Sequence, residues 1–131
     1  MTTVRQVGIV GVGLMGHGIA SSLLRAGHQV SFLEHPGNQP VEDLLAAGAT
    51  ALSTGSEVAN SADVVILCVT GSPQVEAVLF EPDGVMEGLK VGSVIVDCST
   101  ALPSSTERVA AKVADAGGRF MDAAMTRTPK E

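Results

Sequence analysis

A glycine-rich turn between an apolar run and a helical pattern limits the folds open to this sequence more than any other feature. Residues 8–35 read GIVGVGLMGHGIASSLLRAGHQVSFLEH. β-Branched residues lead into the spacing G-x-G-x-x-G, a helical apolar pattern follows, and a second apolar run ends on an acid. This order predicts a strand, a tight turn, a helix and a second strand, which is the unit that binds the pyrophosphate of a dinucleotide.

Each glycine of the turn has its own physical purpose. Gly11 lets the chain turn sharply off the strand, Gly13 lets the backbone approach a pyrophosphate closely, and Gly16 lets the helix pack against the sheet. The free N–H groups and the positive dipole end of the helix attract phosphate without a side-chain cation. A purely structural turn is the alternative, and the flanking strand, helix and acid argue against it. The predicted cofactor contacts in the turn are Gly11, Val12, Gly13, Leu14, Met15 and Gly16.

The acid at the end of the second run bears on which dinucleotide binds. Glu34 follows Gly16 by 18 residues, where a carboxylate accepts hydrogen bonds from the adenosine ribose hydroxyls. A carboxylate there favours NAD and repels the additional phosphate of NADP. His35 and the following PGNQ (36–39) could accommodate that phosphate if Glu34 swings away. NAD is therefore favoured over NADP, with Glu34 and His35 as cofactor-binding residues.

Short apolar runs alternate with helical patterns along the whole chain. The predicted strands are QVGIVG (6–11), QVSFL (29–33), ATAL (49–52), VVILCV (64–69), SVIVDC (93–98) and RFMDA (119–123). Helices are expected over 14–26, about 41–48, 56–61 and 73–80, and from Ser104 onward. Continuous apolar strands indicate burial on both faces. The pattern predicts one α/β domain over 1–131, a three-layer, doubly wound parallel sheet of about six strands of the Rossmann type.

Composition argues against several classes of partner. The 131 residues carry a net charge of −6, no Trp or Tyr, and no run of Lys or Arg, so nucleic acid and anionic membranes are not expected partners. The longest apolar run, residues 64–69, is too short to cross a bilayer, and the N-terminus lacks the pattern of a signal peptide. Cys68 and Cys98 each follow an apolar run and are expected to be core thiols of a cytoplasmic protein.

Four ordered segments together resemble one family. GIVGVGLMGHGIASSLLRAGH is similar to the N-terminal signature of the β-hydroxyacid dehydrogenases, the group of 3-hydroxyisobutyrate dehydrogenase. ILCVTGSPQVEAVL (66–79), VDCSTALPSSTERVA (96–110) and GGRFMDAAMTRTP (117–129) resemble the three segments that follow it in that family. The resemblance covers essentially the whole chain. It implies the N-terminal NAD(P)-binding domain of an enzyme that transfers hydride between nicotinamide and a small 3-hydroxy acid.

The resemblance also implies roles for residues in the later segments. Val69 and Thr70 would contact the cofactor, with Gln74 nearby. Thr100 would lie beside the nicotinamide and the substrate, with Ser99 next to it as a further substrate contact.

The last segment departs from the family pattern. The family commonly has D-A-P-V-S-G-G where this chain has DAAMTRT, so Thr126 stands for a substrate-binding serine and Arg127 replaces a glycine. One hypothesis is that Arg127 binds a second anionic group on the substrate. An exposed, solvated arginine is the other interpretation.

The family's proton-transferring lysine has no counterpart in these residues. The resemblance implies that it lies on a helix of a second, all-helical domain, beyond residue 131 and absent from this chain. Lys90, Lys112 and Lys130 have no catalytic setting, and no metal-ligand spacing is found. The chain alone is therefore expected to be inactive, and the full-length enzyme is expected to be a homo-oligomer acting on a small anionic hydroxy or oxo acid.

Other classes of function stay open at this point. The chain could be a free-standing NAD(P)-binding module without turnover, or an interaction protein that has kept the fold and lost the ligand. Within enzymes, the cofactor domain of an imine reductase resembles the same family in its first domain.

Overall fold

In the described part of the chain, six strands alternate with six helices, two of which follow each other without a strand between them. The computed structural model describes residues 5–35, 38–69, 71–99 and 103–123. The strands are β1 (Gln6–Val10), β2 (Gln29–Leu33), β3 (Thr50–Leu52), β4 (Val64–Leu67), β5 (Val94–Asp97) and β6 (Arg119–Asp122). The helices are α1 (Leu14–Arg25), α2 (Glu42–Ala46), α3 (Gly55–Asn60), α4 (Ser72–Phe80), α5 (Val85–Gly88) and α6 (Pro103–Asp115).

The strands form one parallel sheet in the order β3-β2-β1-β4-β5-β6. Val10 at the end of β1 pairs with Leu67 of β4, and Leu67 pairs in turn with Asp97 of β5. The chain runs outward from β1 in both directions, so a crevice opens beyond the carboxyl ends of β1 and β4. The predicted doubly wound parallel sheet is confirmed.

Helices cover both faces of the sheet, so the predicted three layers are present. Val7 and Ile9 of β1 belong to a buried cluster that includes Ala20 of α1 and Leu44 of α2. Val10 points the other way, into a cluster supplied by α3, α4, α5 and α6. Buried β-branched residues on central strands therefore hold the carboxyl ends of β1 and β4 in fixed positions.

Two of the local differences from the sequence expectation have an identifiable structural cause. α5 was not predicted, because four residues are too few to show a helical period. It packs so closely on α3 that a Cβ at Gly88 would collide with the carbonyl oxygen of Ser56. α3 begins at Gly55, one residue before the predicted start, because Thr54 forms a capping box with Glu57.

The described residues contain no helix that is long and apolar enough to cross a membrane.

Candidate cofactor site

The turn after β1 can be made only by glycine. Gly11 has φ +101°, in the left-handed region that L-residues with side chains rarely adopt. A Cβ at this position would also collide with the carbonyl oxygen of Cys68 and lie 3.3 Å from Cγ1 of Val69. Both requirements arise within the protein, so Gly11 sets the direction in which the chain leaves the sheet.

Helix α1 begins immediately after this turn without a side-chain cap. Its N-cap is Gly13, which offers no hydrogen-bonding side chain, and its first turn carries no acid. The first helical bond runs from His17 N–H to the Gly13 carbonyl at 2.8 Å. The N–H groups of residues 14–16 precede this bond and have no partner within the helix. The helix N-terminus therefore suits an anion.

Gly13 is unlike the other two glycines of the turn. Its φ is −79°, which any residue can adopt. Among the described residues, no heavy atom other than those of its chain neighbours lies within 4 Å of the position a Cβ would take. Neither backbone conformation nor packing within this part of the chain requires glycine at position 13, so its Cβ-free surface faces open space.

That open space belongs to a cleft of about 400 Å³ at the carboxyl ends of β1, β2 and β4. The turn forms one side, α4 and the end of β4 form another, and the loop after β2 closes one end. The lining residues are Val10, Gly11, Val12, Gly13, Leu33, His35, Asn38, Cys68, Val69, Gln74, Ala77 and Val78. The sequence-predicted residues Gly11, Val12, Gly13, His35, Val69 and Gln74 therefore lie around one cavity.

Other predicted cofactor residues lie outside this lining. Leu14 and Met15 project from the start of α1, 84% and 42% exposed. Gly16 is buried against the turn. The exposed Glu34 follows β2 and donates its backbone N–H to the Leu52 carbonyl at 2.9 Å. The end of the cleft next to β2 is thus lined by His35 and Asn38, while Glu34 itself is outside the lining.

Asn38 was not singled out by the sequence, and it shapes that end of the cleft. Its Nδ2 donates to the Leu33 carbonyl at 3.1 Å, and its backbone N–H donates to the His35 carbonyl at 3.0 Å. The next residue, Gln39, donates its N–H to the Val12 carbonyl at 2.8 Å. These bonds attach the loop after β2 to the glycine turn. The only sequence signal was the turn-forming composition of PGNQ.

The substrate-side predictions are less fully described. Thr70, Thr100, Thr126 and Arg127 lie outside the described residues. Ser99 is 3% exposed at the end of β5, and its hydroxyl accepts a hydrogen bond from the Val69 N–H at 2.8 Å. Ser99 therefore borders the cleft through Val69 and does not line it.

The two cysteines lie on adjacent strand ends, and both are half-buried and free. Burial raises the pKa of Cys68 to about 12, and the neighbouring Cys98 adds to the rise. Burial also raises the pKa of Cys98. Both thiols therefore stay protonated at neutral pH, which makes them poor nucleophiles. Cys68 contributes a neutral surface to the cleft wall, although the sequence had predicted only a core thiol.

His17, Lys90 and Lys112 make their contacts away from the cleft, and Lys130 lies outside the described residues. His17 Nε2 lies 3.0 Å from Asp43 Oδ1 and joins α1 to α2; this hydrogen bond lowers the pKa of Asp43. Lys90 pairs with Asp63 at 3.5 Å, and Lys112 lies 4.7 Å above the ring of Phe80. Within the described ranges, no three His, Cys, Asp or Glu residues are grouped so as to bind a metal ion.

The sheet order, the glycine turn and the cleft define a dinucleotide-binding α/β domain. Residues 6–130 match the family described as the NAD binding domain of 6-phosphogluconate dehydrogenase, and the chain belongs to this family. The predicted similarity to the β-hydroxyacid dehydrogenases is confirmed by the relatives below.

Three relatives place the chain more closely. It is 38% identical over 119 residues to 2-hydroxy-3-oxopropionate reductase of Escherichia coli (strain K12), covering 90% of this chain and 40% of the relative. The structure of 3-hydroxyisobutyrate dehydrogenase from Salmonella typhimurium matches with a TM-score of 0.84 and 35% identity, over 95% of this chain and 43% of that one. An imine reductase from Pseudomonas sp. matches with a TM-score of 0.80 and 29% identity, over 98% and 43%. The chain thus spans about 40% of the length of these relatives.

Proposed function

We propose that this chain supplies the cofactor-binding part of an NAD(P)-dependent oxidoreductase of the 3-hydroxyacid dehydrogenase type. The observation that carries the proposal is Gly13. Within the described residues its glycine identity serves neither backbone strain nor packing. The remaining reason for glycine at position 13 is that a ligand approaches the backbone closely there. The position lies at the uncapped N-terminus of α1, which suits a pyrophosphate.

The residues around the cleft fit the parts of such a cofactor. The N–H groups at the start of α1 would hold the pyrophosphate, and Glu34 would accept hydrogen bonds from the adenosine ribose. The apolar surfaces of Val69, Ala77 and Val78 would exclude water from one wall of the cleft. When bound, the nicotinamide supplies or accepts the hydride. The chain's own residues bind and orient the cofactor.

We also propose that NAD is preferred to NADP. The exposed carboxylate of Glu34 lies directly after β2, next to the cleft residue His35. Among the described residues that line the cleft there is no Lys or Arg, so this part of the chain supplies no permanent cation to balance a further phosphate. A carboxylate at this point disfavours that phosphate by charge repulsion.

The substrate side of the proposal rests on the family. A small anionic hydroxy or oxo acid is the proposed substrate, with Thr100, Thr126 and Arg127 as candidate contacts. Ser99, the fourth residue predicted to contact the substrate, already bonds through its hydroxyl to the end of β4. Proton transfer is assigned to the lysine of a second helical domain, and the full-length enzyme is proposed to be a cytoplasmic homo-oligomer. The cofactor domain of an imine reductase is the second candidate, favoured by the similarity to the Pseudomonas enzyme.

A binding titration tests the proposal on this chain. NADH fluorescence is followed as the chain is added, and NADPH is titrated in parallel; without Trp or Tyr, the protein contributes almost no background. Gly13→Ala should keep the fold and lose most of the affinity, because its methyl group would occupy the space of the pyrophosphate.

Gly18→Ala is the matched control for that experiment. Gly18 lies in α1, is exposed, and likewise has no described atom within 4 Å of a Cβ. It should bind NADH as the unsubstituted chain does. Equal affinity of Gly13→Ala and Gly18→Ala, or no saturable binding by the unsubstituted chain, would contradict the proposed cofactor site.

A further inference from the structure

A buried hydroxyl joins the segment after β5 to the end of β4, which borders the cleft. Ser99, two residues after the end of β5, accepts a hydrogen bond from the Val69 N–H at 2.8 Å. The same hydroxyl donates to the Leu67 carbonyl of β4 at 3.4 Å. Parallel pairing of β4 with β5 ends at Leu67 and Asp97. Ser99 therefore continues the connection between the strands beyond the point where regular pairing stops.

The carboxylate of Asp97 holds Ser99 in this position. Ser99 N–H donates to Asp97 Oδ1 at 2.8 Å, and Asp97 is only 1% exposed. Burial raises the pKa of this carboxyl, and the hydrogen bonds from Ser99 offset only part of the rise. A buried carboxylate is costly to maintain without such a partner. Asp97, Ser99 and Val69 thus form a chain of hydrogen bonds running from β5 to the loop after β4.

This chain of hydrogen bonds ends on the wall of the cofactor cleft. Val69 lines the cleft, and its Cγ1 would lie 3.3 Å from a Cβ at Gly11. Without the Ser99 hydroxyl, the half-buried Val69 N–H would lose its acceptor, and the loop would have to move to find water or another partner. Such a movement would shift the Val69 side chain relative to the glycine turn.

We propose that Ser99 is a positioning residue for the cofactor, acting through Val69 and held in place by Asp97. The proposal rests on the proposed function and gives Ser99 a role different from direct substrate contact. Its hydroxyl already has a donor and an acceptor on the backbone of the β4 end. The side chain is therefore committed to shaping the cleft wall.

The experiment compares two buried serines that flank β5, Ser93 before it and Ser99 after it. Ser93, 4% exposed, donates its hydroxyl to the Ala62 carbonyl at 3.5 Å at the opposite end of β5. Ser99→Ala and Ser93→Ala each remove one buried hydroxyl. Only the hydroxyl of Ser99 is bonded to a residue that lines the cleft, Val69. NADH affinity is measured by fluorescence, and the protection of the Val69 amide by hydrogen exchange.

Ser99→Ala should raise the Kd for NADH by about three- to tenfold and speed the exchange of the Val69 amide. Ser93→Ala should leave both unchanged. Ser99→Cys keeps the side-chain size with a poorer acceptor and should fall between Ser99→Ala and the unsubstituted chain. If Ser99→Ala does not fold, the NADH affinity of Ser99→Cys tests the positioning role.

The outcomes separate this proposal from the proposed function. If the unsubstituted chain binds NADH and Ser99→Ala or Ser99→Cys binds equally well, the positioning role is wrong and the cofactor site stands. Unchanged protection of the Val69 amide in these variants would also overturn it. If the unsubstituted chain binds no NADH, the proposed function fails and the positioning role fails with it.

Discussion

Gly16 lies directly on the backbone of Gly11, so closely that a Cβ at Gly16 would collide with the carbonyl oxygen of Gly11. The first turn of α1 is therefore packed against the turn that leads into it. The same Cβ would lie 3.6 Å from that of Cys68, an ordinary van der Waals contact, so the obstacle is the Gly11 carbonyl. The glycine spacing fixes the approach of α1 to the sheet, independently of any ligand.

Gly16→Ala should consequently destabilise the fold itself. Overpacking of this kind costs about 1–3 kcal/mol, because the carbonyl oxygen of Gly11 belongs to a rigid turn and cannot move aside freely. Urea unfolding followed by far-UV circular dichroism measures the change. Gly18→Ala, in the same helix with open space around it, should instead be stabilised by about 0.5–1 kcal/mol. Similar midpoints for the two variants would show that the close contact is not maintained in solution.

Much of the fold could be predicted because each element carries its own local signal. Continuous apolar runs predicted β1, β2, β4 and β5, and shorter candidate segments predicted β3 and β6. The glycine turn located β1, α1 and the carboxyl edge of the sheet. α5 was not predicted, because its four residues are positioned by close contact with α3. Such a tertiary contact leaves no local pattern in the sequence.

The candidate site was predictable only where the motif itself forms it. Gly11, Gly13 and Val69 line the cleft as expected. The hydrogen bonds of Ser99 were not foreseen, because they join segments that are distant in sequence. Asn38 was not foreseen, because the turn-forming composition of residues 36–39 does not show which side chain bonds back to the Leu33 carbonyl. Ser99 lies 30 residues from Val69, and no periodicity relates two such positions.

Glu34→Gln should weaken the preference for NADH over NADPH. Loss of a charged acceptor for the ribose hydroxyls costs about 1.5–3 kcal/mol, and the repulsion of an additional phosphate disappears at the same time. The ratio of the two Kd values should therefore change by at least about tenfold, measured by cofactor fluorescence. Glu81→Gln, an exposed acid at the far end of α4, should leave the ratio unchanged. An unaltered ratio in Glu34→Gln would mean that another group selects the cofactor.

Cys68 should react slowly with alkylating reagents in the folded protein. With a pKa of about 12, its thiolate fraction at pH 8 is about a thousandfold below that of an ordinary thiol. The measurement is the rate of iodoacetamide labelling in a Cys98→Ser background, folded and in urea. Because Cys68 lines the cleft, saturating NADH should slow labelling further. Labelling of the folded chain as fast as in urea would contradict the buried environment of this thiol.

Asp97 should make stability fall with rising pH in the acid range. Burial is the main cause that raises its pKa, and the charge of Asp122 on β6 adds to it. The folded state therefore holds the proton more tightly than the unfolded state, whose carboxyl titrates near pH 3.9. Between that pH and the higher folded pKa, the contribution of Asp97 to the free energy of unfolding declines as pH rises. For this one group the decline is at most about 1.4 kcal/mol per pH unit.

Asp97→Asn removes this titration while keeping an oxygen that can accept the Ser99 N–H. The variant's free energy of unfolding, relative to the unsubstituted chain, should therefore increase as pH rises through the same window and level off above it. Other carboxyls titrate in both proteins and cancel in the difference.

Asp122→Asn should narrow the pH range over which Asp97 lowers stability, because it removes a neighbouring negative charge that raises the pKa of Asp97. Urea unfolding at a series of pH values from acid to neutral measures all three proteins. If the free energy of unfolding of Asp97→Asn, relative to that of the unsubstituted chain, instead decreases as pH rises, the folded environment favours the carboxylate of Asp97 over its protonated form.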